Sequence, residues 1–385
     1  MTHSSKTRVA VFCGGRSAEH EISILSARFV TRSLDRSRYE PLLIGISKTG
    51  GWHLQDEQAL LSAPADARTV GIDESGLIVT LRPYPTLPAE AGTALLADDG
   101  TRRVVDVAFP VLHGPMGEDG CMQGLFELAQ LPYVGSGVLG CAVGMDKDLQ
   151  RRVLRHAELP VVPSVTIGRA TWGPHREGSA AAEARPSDMR AECEELGYPL
   201  FVKPANMGSS LGVRRARNRD ELEAAVEHAF EFDTKVVVER GLERPREIEC
   251  AVLGNDDPRV SEPGEIGVSH ADGFYSYDAK YIDPDGAQLI IPAALHHQER
   301  TSVQLLALRA FRALDCAGMA RVDMFLTEDH EIYVNEINTI PGFTAISMYP
   351  QLWEHSGVSA VELVSELIEL GVERGRARAA LRTFR

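Results

Sequence analysis

Three short runs are apolar almost without a break: TRVAVFC at 7–13, PLLIGI at 41–46 and VVDVAFPVL at 104–112. Runs this short and this continuous read as strands covered on both faces, which is the situation inside a parallel sheet. A helix-like segment, AEHEISILSARFVTRSL, lies between the first two. Strands alternating with helices imply an open, mainly parallel α/β sheet. Its ligand side falls at the carboxyl ends of the strands, where CGG (13–15) and HG (113–114) stand. YEPLLIGISKTGGWHL turns back at Thr49-Gly50-Gly51, MQGLFELAQL reads as a short amphipathic helix, and LPYVGSG as a further strand. Residues 55–103 are less regular and read as an insertion.

A second unit follows. DKDLQRRVLRHAEL is helical in pattern, and YPLFVKP and KVVVERGL are strands. In DELEAAVEHAFEF the apolar positions 222, 225, 226, 229 and 230 keep helical spacing, with Asn218 or Asp220 as cap. TWGPHREGSAAAEARPS (171–187) is polar and small, as a surface loop is. A third unit begins near Glu243. It holds the strand REIECAVLG, a helix over 298–314, a hairpin over 319–343 and a last helix in SAVELVSELIEL. The expected units are 1–136, 137–242 and 243–385.

The chain has 385 residues and a net charge of −15, which disfavours nucleic acid and anionic membranes as general partners. The basic end, ERGRARAALRTFR, reads as a solvated helix terminus. None of the six cysteines forms a CxxC, and several sit in apolar runs, as buried thiols of a reducing cytosol do. No segment has the continuous apolar length of a membrane span, so the expected location is cytoplasmic.

The hairpin carries Arg321 and Asp323 on one strand and Glu336 and Asn338 on the other. With Thr327–His330 as the loop, Leu326 pairs with Glu331 and Asp323 falls opposite Val334, diagonal to Glu336. Asp323, Glu336 and Asn338 then share a face and offer hard oxygen ligands suited to Mg²⁺. An internal salt bridge from Arg321 to the acids fits the same residues, and the hairpin alone leaves both readings open. KPANMGSSLGV (203–213) is either a phosphate-cradling loop with Lys203 beside it or a polar hairpin loop. Gly135–Gly140 spells GxGxxG without a full strand before it, and reads as a connection between units. In CGGRSAEHEIS, Glu19 is more simply a helix-capping charge than an ammonium ligand. Glu239 ends a valine strand and is placed to accept from ribose hydroxyls, whereas Glu247 and Glu249 alternate with apolar residues as surface charges also do.

The order of these blocks carries more than any one of them. GGRSAEHEIS, HGPMGEDG, LPYVGSGV, MDK, KPANMGSSLGV, VVVERGL, FYSYDAKY and RVDMF…VNEINTIPGFT together resemble the ATP-grasp D-alanine–D-alanine ligases over nearly the whole chain. The resemblance implies an α/β protein with an N-terminal open parallel-sheet domain and ATP held between two α+β lobes. It implies ligation of two D-alanines through a D-alanyl phosphate, for peptidoglycan precursors, with ATP and two Mg²⁺ (or Mn²⁺). A same-fold ligase using D-lactate or D-serine and a catalytically dead nucleotide-binding regulator are the alternatives, and Tyr281 argues against D-lactate. By matching position, Glu19, Ser209 and Tyr281 form a hydrogen-bonded set, and Glu19 holds the first ammonium. His113, Ser347 and Met348 bind substrate. Lys147, Lys203, Ser209, Ser210, Glu239, Leu242, Glu247 and Lys280 bind ATP. Arg321 and the Gly342 N–H stabilise an oxyanion, and Asp323, Glu336 and Asn338 hold the metals. One extra residue in RGLERPRE leaves Glu249 as a rival to Glu247, and Gly241 leaves the adenine pocket without a side chain found there in some relatives. A homodimer is the family expectation.

Overall fold

The computed structural model describes residues 6–63, 66, 68–84, 92–172, 189–268 and 287–382. The first sheet begins with β1 (Thr7–Gly14), followed by α1 (His20–Ser33), β2 (Tyr39–Ile46) and β3 (Trp52–Gln55). Helix α2 (Glu57–Ser62), strands β4 (Val79–Leu81), β5 (Thr93–Ala97), β6 (Arg102–Val105) and β7 (Val107–Pro110), and helix α3 (Cys121–Leu128) complete this part. The sheet order is β3-β2-β1-β7, with β1 parallel to both β2 and β7 and β3 closing an antiparallel hairpin. The described part of 55–103 is more regular than its sequence suggests. Strands β4, β5 and β6 form an antiparallel sheet whose Val79, Leu81, Leu95 and Val105 pack in one core with Phe12 and Ile44. Their apolar runs are too short to stand out between polar turns. LPYV shrinks to a single bridge, Ala108 to Tyr133.

Helices α4 (Val138–Met145) and α5 (Lys147–His156) lead into β8 (Ser164–Gly168), α6 (Arg169–Trp172), α7 (Met189–Glu195), β9 (Leu200–Pro204), β10 (Arg214–Ala216), α8 (Arg219–Ala229) and β11 (Lys235–Arg240). These strands make an antiparallel sheet, β10-β9-β11-β8. Asn218 caps α8 by accepting from the Glu221 N–H, and Asp146 caps α5, contacts worth about 1 kcal/mol each. The GxGxxG segment runs into α4, with Gly137 as its N-cap residue.

The last sheet holds β12 (Arg246–Gly254), β13 (Arg259–Val260), β14 (Gly264–Val268) and β15 (Ala287–Ile290). Helix α9 (His297–Ala313), the ribbon β16 (Gly318–Leu326) and β17 (Ile332–Asn338), and helices α10 (Met348–His355) and α11 (Ala360–Ala379) follow. Its order is β15-β14-β12-β16-β17, with β13 on β12. Helix α10 was not expected from the sequence, where YPQLWEH is too short to show a period. Five cysteines are buried as expected, but Cys121 is exposed. Most of the expected loop 171–187 lies outside the described residues. Among the described residues no helix is long and apolar enough to cross a membrane.

Gly14 ends β1 with φ +85°, and a Cβ added there would stand 2.3 Å from the Ile46 carbonyl oxygen. The turn toward α1 therefore requires glycine. Gly14→Ala should cost about 2–4 kcal/mol. A lowered urea midpoint with an unchanged slope checks it.

Candidate functional site

The β16–β17 ribbon does not keep the expected register. Leu326 pairs with Ile332 and Met324 with Val334, and then the register shifts. Asn335 is the extra residue of a β-bulge, so that Asp323 stands opposite Glu336 and Arg321 opposite Asn338. The reason is in the core. Val334 and Ile337 are both buried with Val303, Ala307 and Phe311 of α9. Residues three apart cannot share a face of a regular strand. The bulge resolves that conflict and leaves Asn335 and Glu336 for the other side. The sequence carried the signal: IYVNEIN places its apolar residues at 334 and 337.

Neighbouring strands bring their polar positions to the same side. Ile248, Cys250 and Val252 of β12 lie in the core, which leaves Glu247 and Glu249 on the opposite face. Glu249 sits directly across from Asp323. On β9 and β11, Leu200, Val202, Val236 and Val238 are core, while Lys203 and Glu239 face away from it. These faces border one cleft of about 970 Å³, which Lys147, Ser209, Ser210, Leu242 and Phe325 also line. The carboxylate Glu249, the local rival of Glu247, thus reaches the same cleft. Gly241 is held close, its N–H donating to the Pro199 carbonyl at 2.7 Å. A Cβ there would meet that oxygen at 2.6 Å.

The cleft is a set of close charge pairs. Lys203 Nζ stands 2.8 Å from Glu239 Oε2 and donates to Asn335 Oδ1 at 3.4 Å. The other Glu239 oxygen accepts from Arg151. Burial alone would raise the Glu239 carboxyl, but Arg151 and Lys203 outweigh it and hold the group below its usual range. Lys147 Nζ donates to the Met207 carbonyl at 2.7 Å and lies 3.7 Å from Glu336, and burial lowers its pKa. Arg321 forms a two-point pair with Asp323 at 2.7 Å and reaches Glu249 at 2.9 Å. Burial works against that guanidinium's charge, yet the carboxylates of Asp323 and Glu249 outweigh it and raise its pKa well above the ordinary arginine value.

The internal salt bridge is therefore realised in the ribbon, and the question is whether a cation fits as well. Two opposed carboxylates and the Asn338 amide are hard oxygen donors on one cleft face. Among the described residues no group of three or more His, Cys, Asp or Glu side chains is arranged to hold an ion. Such a small donor set suits a cation that keeps waters and takes oxygens from a phosphate ligand. The residues fit Mg²⁺ on those terms.

Glu19 makes no capping bond at α1. It stands at the N-cap position of that helix, as the capping reading has it, but its carboxylate accepts from Ser209 Oγ, 190 residues away. The fit is close: a Cβ on Gly208 would come within 2.8 Å of Glu19 Oε2, and one on Gly114 within 3.1 Å. Ser209 and Ser210 both have positive φ (49° and 58°), a strained pair of the kind found in ligand-clamping loops. His113 is buried with both ring nitrogens engaged, one with Ser26 Oγ and one with the Ile340 carbonyl, each at 3.0 Å. Burial keeps it neutral to lower pH. At the far side, Ser347 is the N-cap residue of α10, and its Oγ accepts from the Thr344 N–H at 3.0 Å. The Met348 N–H falls in the helix's first turn, where amides lack intrahelical partners. A Cβ on Gly342 would meet Ser347 Oγ at 3.1 Å, so the chain passes close there. Lys280 and Tyr281 lie outside the described residues. Arg151, Asn335 and Glu118 were not singled out in the sequence, because their partners lie far along the chain.

Comparison with known proteins finds relatives over nearly the full length. Residues 8–136 match the family model for the D-ala D-ala ligase N-terminus, and 153–369 that for the C-terminus. The chain is 47% identical over 370 residues to the D-alanine–D-alanine ligase of Shouchella clausii, covering 96% of each chain. It is 44% identical over 382 residues to D-alanine–D-alanine ligase A of Escherichia coli K12, covering 98% of this chain and 99% of that one. The D-alanine-D-alanine ligase structure from Coxiella burnetii superposes with a TM-score of 0.78 at 36% identity, covering 97% of both. The VanG D-Ala:D-Ser ligase from Enterococcus faecalis gives 0.80 at 35% identity, covering 95% of this chain and all of that one.

Glu118, whose Oε1 accepts from the Gly114 N–H at 2.7 Å, yields a prediction. Burial, with Glu19 adding to it, pushes its carboxyl up to about 8 from an ordinary 4.5. Such a group favours the fold fully below 4.5, and that contribution is lost as pH rises through about 8. Glu118→Gln should therefore gain thermal stability relative to the parent at about pH 8.5 and show less gain at about pH 5.5. Parallel melting curves at the two values measure it.

Proposed function

The chain belongs to the D-alanine–D-alanine ligase family, and from that premise we propose how its cleft works. It has the ATP-grasp fold and is an ATP-dependent ligase that joins two D-alanines for peptidoglycan synthesis. The observation that carries our reading of the site is the meeting of Lys147, Lys203, Asp323 and Glu336 on one cleft.

A carboxylate resists nucleophilic attack, because attack would load more charge onto an anion. In our reading a carboxylate oxygen of the first D-alanine attacks the γ-phosphorus of ATP and ADP leaves. The resulting D-alanyl phosphate carries a good leaving group. The amine of the second D-alanine, having given up a proton, attacks the acyl carbon and expels phosphate. Phosphoryl transfer of this kind needs chiefly positioning and charge neutralisation.

Each role falls to a group with suitable chemistry. Glu19, held by Ser209, takes the first ammonium; we assign Tyr281 to the same hydrogen-bonded set and His113 to substrate binding. Lys147, Lys203, Ser210, Glu239, Leu242 and Glu247 hold ATP, and Lys280 reaches its γ-phosphate. Arg321 and the Gly342 N–H stabilise the oxyanion, and Ser347 with the Met348 N–H takes the second carboxylate. Asp323, Glu336 and Asn338 hold two Mg²⁺ (or Mn²⁺), whose charge offsets that of the phosphates. Arg321 must then share Asp323 with a cation, and its contact with Glu249 keeps it compensated when it does. We place the unit boundaries near 136 and 242, and expect a homodimer in the cytoplasm. Light scattering and cell fractionation test those two points.

Phosphate release from ATP, Mg²⁺ and D-alanine should yield a product with the mass of the dipeptide. A depsipeptide or D-alanyl-D-serine as the preferred product, when D-lactate or D-serine is added, would overturn the second-substrate assignment. Glu336→Gln should lower turnover at least about 100-fold while its circular dichroism stays native. Near-normal activity with Mg²⁺ would count against a metal role for Glu336.

A further inference from the structure

Arg151 is a buried cation that the reaction described above leaves without a part. It stands one helical turn beyond Lys147 on α5, and its side chain is 3% exposed. One guanidinium nitrogen donates to the Lys147 carbonyl at 3.0 Å. Another donates to Glu239, whose side chain is equally buried. The second Glu239 oxygen holds Lys203. One guanidinium thus braces, from behind the cleft wall, both lysines that face the phosphate-binding space.

The charge balance gives this brace a purpose. Lys203 and Glu239 by themselves would form a neutral pair, and a neutral pair has little to offer a polyphosphate. Arg151 occupies the far oxygen of the carboxylate. The three groups together then carry one net positive charge, and its exposed end is the Lys203 ammonium, 13% exposed on the cleft side. Little water reaches the group, so that charge is weakly screened.

We propose that Arg151 is a positioning residue for nucleotide binding: it compensates Glu239 from behind, so that the Lys203 ammonium keeps its charge for the phosphates of ATP. This rests on the reading that the cleft holds ATP, and the test separates the two. Arginine suits the task because its charge survives burial and its planar fork satisfies a carboxylate and a carbonyl at once.

The test measures the affinities of the full-length enzyme for MgADP and for adenosine by titration calorimetry. Arg151→Met should weaken MgADP about tenfold and leave adenosine within about twofold. Arg151→Lys, which keeps the charge, should hold MgADP within about threefold of the parent. Equal losses for both ligands, or no loss of MgADP, would overturn the proposal. Absence of MgADP binding in the parent would instead overturn the cleft reading. A double-mutant cycle decides the matter even where Arg151→Met is poorly stable. In the Glu239→Gln background, removing Arg151 should cost MgADP nothing further. An additional loss there would mean that Arg151 acts on the phosphates without Glu239, and the proposal would fall.

Discussion

Val334 and Ile337 must both reach the core beneath α9, and a regular strand allows only one of them to do so. The bulge at Asn335 admits both, and everything polar in the ribbon follows from it. Glu336 turns to the cleft opposite Asp323, Asn338 comes opposite Arg321, and the amide of Asn335 reaches Lys203 of the neighbouring sheet. The acidic face is thus fixed by apolar packing on the reverse side. Burial of two aliphatic side chains is worth roughly 3–6 kcal/mol, whereas little-exposed pairs such as Arg321–Asp323 gain little net stability once the loss of water is counted. The fold sets the register with its strongest term, and the weaker polar contacts inherit their places.

The cleft that results is held by opposed charges in poor solvent. Glu239 keeps its charge at nearly complete burial and Arg321 at partial burial, because each has two ionic partners. Removing one partner from such a set leaves an uncompensated ion, which is why buried pairs are costly to break though modest in net stability. The arrangement is pre-formed: carboxylates and ammonium groups already stand close, and a polyphosphate with its cations would exchange some of these contacts for others of like sign. Lys147, engaged with the Met207 carbonyl, and Ser209, engaged with Glu19, link the same cleft to the 207–213 loop. That loop carries two strained serines and joins the ribbon's side of the molecule to the first sheet.

Legibility in the sequence followed the range of the interactions. The long strands and helices were readable from period and caps. Asn218 and Asp146 cap as their types suggest, and Thr49-Gly50-Gly51 turns the first hairpin. The small sheet of β4, β5 and β6 was not readable, because each of its strands is five residues or fewer and its core partners, Phe12 and Ile44, lie elsewhere in the chain. The ribbon's exact register was missed as well. Beyond the bulge the shift is two positions, which preserves parity, so Asp323, Glu336 and Asn338 share a face as expected; between the turn and the bulge it is one position, which turns Val334 from the expected polar face into the core.

The order of residues along the chain already limits which of them can do the chemistry: carboxylates, lysines and small-residue loops, spaced so that strands and helices deliver them to element ends. Local hydrogen bonding and side-chain periodicity suffice for that, because both act over a few residues. Which charge meets which is settled by packing between distant segments. Glu19 with Ser209, Arg151 with Glu239 and Lys203 with Asn335 span 190, 88 and 132 residues. Contacts of that range are set by how three sheets pack, and no local pattern encodes them.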